Sequence, residues 1–149
     1  MLYFFDSSAL TKRFHFEQGS RVVNAIFTTG GNRIFTSRLA LVELTSAAAI
    51  KVRTGAMTLD SADVFLSTVH ASANARRFIS ERVLDVDFVR AQLLLTRHAR
   101  TSRLRTLDAL QLASALRRRE RSGIDCFVTA DRVLAQVASL ESFATLIPE

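Results

Sequence analysis

Four carboxylates fall where an acid can do more than solubilise a surface. Asp6 directly follows the wholly apolar run Leu2-Tyr3-Phe4-Phe5, and Asp131 lies two residues past Thr129, at the end of a second apolar run over 126–129. Such runs read as strands buried on both faces. In open parallel sheets ligands bind beyond the carboxyl ends of the strands, so both acids stand where a site is expected. Each also has a purely structural use. Asp131 can cap the helix that follows it, and Asp6 can be a turn residue ahead of Ser7 and Ser8.

Glu43 is the only charge between Leu39 and Ile50, a stretch apolar nearly all round, which predicts a buried helix. An ionised carboxylate there is costly unless a metal ion or a buried Arg partners it. Asp108 sits in the first turn of a helix opening at Thr106, where it complements the helix dipole, although Leu107, Ala109 and Leu110 surround it with apolar neighbours. All four acids could converge on one pocket. Packed carboxylates repel, so such a pocket calls for a cation. With no suitable His or Cys nearby, an oxygen-only site selects a hard ion, Mg²⁺ or Mn²⁺.

The elements that must position these groups alternate along the chain. Strands are predicted at 2–5, 34–36, 82–85, 126–129 and 145–147. Helices are predicted from the Ser7-Ser8 cap, after Gly19, from Ser37 to about 53, from Thr58, from Asp87 to about 99, from Thr106 to about 120, and over 131–140. Alternation of this kind implies an α/β fold, a mostly parallel sheet between two helical layers. The 149 residues, 48% hydrophobic and 23% charged, suit one domain with its own core, and five Gly with a single Pro leave no linker. One Cys, Cys126, forms no internal disulfide and reads as a core residue. His15, His70 and His98 show no metal-ligand spacing. No apolar run reaches membrane-helix length, and the short apolar start is no signal sequence, so a soluble cytoplasmic protein is expected.

Twenty Lys and Arg against fourteen Asp and Glu give a net charge of +6, with Lys only at positions 12 and 51. Setting the four acids aside leaves twenty basic against ten acidic residues, a +10 body around an acidic pocket. That suits an enzyme cutting a phosphodiester backbone, although codon bias in a GC-rich genome also enriches Arg. Arg103 and Arg105, just ahead of Asp108, are the preferred phosphate contacts. Arg117, Arg118, Arg119 and Arg121 read as a solvated helix end. Phe14 and Phe16 can stack bases or pack an interface.

Phe5-Asp6-Ser7-Ser8-Ala9-Leu10 followed by Lys12 resembles the opening of a PIN domain. Residues 38–47, containing Val42-Glu43-Leu44, then Leu107-Asp108-Ala109-Leu110-Gln111-Leu112-Ala113, then Val128-Thr129-Ala130-Asp131, resemble its next three motifs in order. The resemblance spans essentially the whole chain, and the length is similar to that of a single-domain VapC-type toxin, the ribonuclease of a type II toxin–antitoxin pair. It implies a three-layer α/β/α fold and a Mg²⁺- or Mn²⁺-dependent endoribonuclease that leaves a 5′-phosphate and a 3′-hydroxyl. Asp6 and Asp108 would be the principal metal ligands, Glu43 would complete the first site, and Asp131 would bind a second ion or orient the attacking water. Ser7 and Thr129 would flank the pocket. RNA substrate, an antitoxin and a homodimer follow as expected partners. Two other readings remain open: a catalytically idle RNA- or antitoxin-binding module, and a phosphohydrolase with Asp6 as nucleophile. The second is disfavoured by Ser8, where a second Asp is expected.

Overall fold

The computed structural model describes all 149 residues, Met1 to Glu149. In chain order the elements are β1 (Leu2–Phe5), α1 (Ser7–Phe14), α2 (Ser20–Thr28), β2 (Arg33–Ser37), α3 (Arg38–Arg53), α4 (Leu59–Asn74), β3 (Ile79–Glu81), α5 (Asp85–His98), α6 (Thr106–Ser122), β4 (Cys126–Val128), α7 (Arg132–Leu140) and β5 (Thr145–Leu146). The strands form one sheet in the order β3-β2-β1-β4-β5, and every neighbouring pair is parallel.

Side chains alternate across a strand, and here both faces are covered. Phe4, Phe35 and Phe127 point into a core built with α5, α6 and α7. Phe5, Ile34 and Val128 point into a second core built with α1 to α4. Phe4 and Phe127 are register partners whose rings lie 5.9 Å apart and within 7° of parallel. This two-sided burial is why β1 and β4 carry no polar alternation. The chain runs from β1 outward to β2 and β3, then crosses to β4 and β5. The switch point therefore lies between β1 and β4, and its carboxyl edge carries Asp6 and Asp131.

Several local expectations are corrected. The third strand is not 82–85 but Ile79–Glu81, where Ile79, Ser80 and Glu81 pair with Phe35, Thr36 and Ser37 of β2. Arg82 lies outside the ladder, its carbonyl accepting from Arg117 Nη2 at 2.6 Å. Ser7 and Ser8 do not cap α1; they are its first two residues, and Asp6 is the cap. Asp87 is likewise the third residue of α5, with its carboxylate accepting from the backbone N–H of Leu84 at 2.9 Å. Helix α3 is not sunk in the interior: it buries only Ala40, Leu44 and Ala48, and leaves Val42 and Ile50 exposed.

The Arg-rich end of α6 is not a solvated face. Arg117 Nε donates to Asp87 Oδ1 at 2.8 Å, and the Asp87 side chain is fully buried. Arg118 is buried with its guanidinium 4.0 Å from the centre of the Phe35 ring. Arg121 Nη2 reaches Glu81 Oε1 at 3.3 Å, and Arg119 donates to the backbone carbonyl of Glu141. These residues fasten α6 to the end of β3, to α5 and to the end of α7, so only Arg121 of the four is largely exposed. Phe14 is also a packing residue, edge-on to Phe65 and Phe78, whereas Phe16 is exposed. Cys126 is half-buried rather than fully in the core, and burial pushes its thiol up, away from the reactive thiolate.

Candidate active site

At the carboxyl edge of β1, Asp6 is buried to 3% exposure, yet three donors converge on it. The backbone N–H of Ala9 donates to Oδ1 at 2.9 Å, the capping bond of α1. The Ser8 hydroxyl lies 2.8 Å from Oδ1 and 2.9 Å from Oδ2, and the Thr129 hydroxyl donates to Oδ2 at 2.8 Å. Both hydroxyls also accept: Ser8 from the N–H of Ala130, Thr129 from the N–H of Asp131. The start of α1 and the turn after β4 are thus tied together through one carboxylate. Ser8, expected only as a helix-cap residue, makes this link. Ser7 offers its carbonyl to Thr11 and lines a neighbouring cavity.

Burial outweighs those donors and raises the Asp6 carboxyl from 3.8 to about 7, with the charge of Glu43 pushing in the same direction. A buried carboxyl held this far above its ordinary range favours its neutral form and marks a candidate functional position, where a nearby cation would favour the charged form.

Glu43 is half-buried, and its side-chain partner is not an Arg but Gln111, whose Nε2 donates to Oε2 at 2.5 Å. Gln111 is 1% exposed, and its Oε1 accepts from the Ser37 hydroxyl at 2.7 Å. A chain of two hydrogen bonds therefore runs from the end of β2 through α6 to α3 and fixes the rotamer of Glu43. In Gln111→Leu both Glu43 and the Ser37 hydroxyl lose a buried partner, so we expect unfolding in urea to show about 1–3 kcal/mol lost.

Asp108, third residue of α6, accepts from the backbone N–H of Arg105 at 3.3 Å and from its Nε at 3.0 Å. Asp131 caps α7: Oδ1 accepts from the N–H groups of Val133 and Leu134 at 2.8 and 3.0 Å, while Oδ2 accepts from Arg105 Nη2 at 3.0 Å. The structural use foreseen for Asp131 is therefore real, and its second oxygen is left to Arg105. Arg105 is drawn onto these acids, while Arg103 is exposed.

The four acids thus gather at one edge in two linked pairs rather than as one tight cluster. Asp6 feels Glu43, Asp108 and Asp131 share Arg105, and Thr129 connects Asp6 to Asp131. No three of them lie close enough to hold one ion in this conformation. The donor set itself is all oxygen, as a hard divalent ion requires. Beside it opens a cavity of about 480 Å³ lined by Ser7, Ser8, Leu39, Glu43, Ile50 and Leu107, among others.

No protein-family model matches this sequence, and no curated protein matches it. Solved structures do. The structure of VapBC2 from Rickettsia felis, bound to a DNA fragment from their promoter, superposes with a TM-score of 0.68 at 13% identity, over 98% of this chain and 98% of that one. VapC20 of Mycobacterium tuberculosis, described as a toxin that cleaves the sarcin-ricin loop, gives 0.67 at 17%, over 98% and 99%. FitAcB from Neisseria gonorrhoeae gives 0.62 at 12%, over 98% and 97%. The likeness is one of fold: the three-layer, PIN-like architecture of the VapC toxins, end to end.

Proposed function

We propose that this chain is a divalent-metal-dependent endoribonuclease, the toxin of a type II toxin–antitoxin pair. The observation that carries the reading is Asp6: a buried carboxylate at the switch point of a VapC-like sheet, raised to about 7 and facing Glu43. Asp6, Glu43 and Asp108 would draw together to hold Mg²⁺ or Mn²⁺, with Asp131 beside them. The ion supplies Lewis acidity toward water and the phosphodiester oxygens.

The residues of the chain do the rest. Ser8, Thr129 and the N–H of Ala9 fix both oxygens of Asp6, so its geometry is set before any ligand arrives. Gln111 does the same for Glu43. Exposed Arg103 stands ready for a flanking phosphate. Phe88, Val89 and Leu93 of α5, each more than half exposed, support a homodimer, and an antitoxin partner is proposed by likeness to VapBC2. No helix is long and apolar enough to cross a membrane.

Purified protein should cleave RNA with Mg²⁺ or Mn²⁺ and stop when EDTA is added. One observation favours the idle-module reading: Arg105 already neutralises Asp108 and Asp131. Salt-sensitive RNA binding that is identical with and without metal, and yields no products, would establish that reading instead.

A further inference from the structure

Arg105 sits at the N-cap position of α6 with its side chain 72% exposed, and reaches inward to two carboxylates that are only 14% and 27% exposed. One guanidinium spans both: Nε to Asp108 Oδ2 and Nη2 to Asp131 Oδ2, each at 3.0 Å. Asp108 Oδ2 also accepts from the backbone N–H of Arg105, at 3.3 Å. The other oxygen of Asp131 is committed to α7. The planar fork of Arg suits this bridge, because its donors are fixed in direction and its charge is permanent.

We propose that Arg105 is a built-in counter-ion, standing between Asp108 and Asp131 in the metal-free protein and leaving them when a divalent ion binds. The proposal rests on the metal-dependent reading of the same acids. Two carboxylates facing each other without a cation repel, and the guanidinium holds them poised by satisfying both. A doubly charged ion competes for the same two oxygens. Because Arg105 is mostly in solvent, it can swing aside without disturbing the core. The result is a site that keeps its shape when empty and loads only after a charge contest.

The test uses the full chain. Mn²⁺ is titrated calorimetrically into wild type, Arg105→Ala and Arg105→Lys, and Tm is recorded in EDTA and in saturating Mn²⁺. Arg105→Ala should bind Mn²⁺ about tenfold more tightly, since it removes a competing charge. Its Tm should fall in EDTA and recover with Mn²⁺. Arg105→Lys, whose single ammonium cannot span both acids in the same way, should lie between. Equal or weaker Mn²⁺ binding by Arg105→Ala overturns the counter-ion role while leaving the nuclease reading standing. Absence of Mn²⁺ binding in all three proteins overturns both.

Discussion

Asp6→Asn is expected to abolish RNA cleavage while making the metal-free protein more stable above neutral pH. Supporting groups around metal ligands typically cost about 10–100-fold in affinity or activity when removed, and losing a ligand's charge should cost more than about a hundredfold. The stability effect has the opposite sign. The Asp6 carboxyl lies at about 7 in the folded protein against 3.8 as its ordinary value. The folded state therefore binds its proton more tightly than the unfolded state does. The contribution is full below about 3.8 and is lost as pH rises through about 7. At about 1.4 kcal/mol for each tenfold in proton affinity, the loss approaches about 4 kcal/mol by pH 8. Asn does not ionise, and its amide oxygen still accepts from Ala9. In urea titrations with EDTA, the advantage of Asp6→Asn over wild type should widen from pH 5 to pH 8. Saturating Mn²⁺ should narrow it again, because a bound ion stabilises only the protein with the intact ligand. A gap that does not change with pH would show that the Asp6 carboxyl is not raised by its burial.

Asp87→Ala should be the most damaging single change away from the site. Its fully buried carboxylate accepts from Arg117 Nε, from the N–H of Leu84 and, at 3.4 Å, from the Ser114 hydroxyl. Removing it leaves a guanidinium that is 13% exposed with only the Arg82 carbonyl at 2.6 Å and the Glu81 carboxylate at 3.9 Å. Breaking a buried pair from one side typically costs about 3–5 kcal/mol. The loss is read as a lower urea midpoint with unchanged slope. Cleavage per folded molecule should stay at the wild-type level, since Asp87 lies outside the acid site. The double variant Asp87→Leu/Arg117→Met, which removes both charges, should be less destabilised than Asp87→Ala alone. If Asp87→Ala costs under about 1 kcal/mol, the pair is not the fastening described.

The sequence discloses most readily what local chemistry dictates. Phe4 and Phe5 go to opposite layers, so β1 carries two adjacent large apolar residues. The acid that ends such a strand is visible at once. The same logic finds Asp131 after Phe127 and Val128. It fails at β3, where Ser80 and Glu81 follow Ile79 and nothing local marks a strand; only the register against β2 makes it one. It fails for Glu43 because a helix rich in Leu, Val and Ala looks buried, whereas tertiary packing covers just one side of α3. Gln111 is an amide among Leu110, Leu112 and Ala113, and a polar residue inside a wholly apolar stretch is itself a signal of a buried partner. The Arg residues ending α6 were misleading for a different reason: their partners, Glu81 and Asp87, lie thirty or more positions earlier in the chain.

The strand order has a consequence for synthesis. β1 lies at the centre of the sheet, yet one of its two neighbours is β4, and Phe5 pairs with Val128. A nascent chain shorter than about 125 residues has Asp6 at hand but neither Thr129 nor Asp131 to complete its surroundings, and non-local pairing of this kind is slow to form. A ribosome making this polypeptide therefore holds β1 without its β4 neighbour, and Asp6 without its Thr129 partner, until that late segment has emerged.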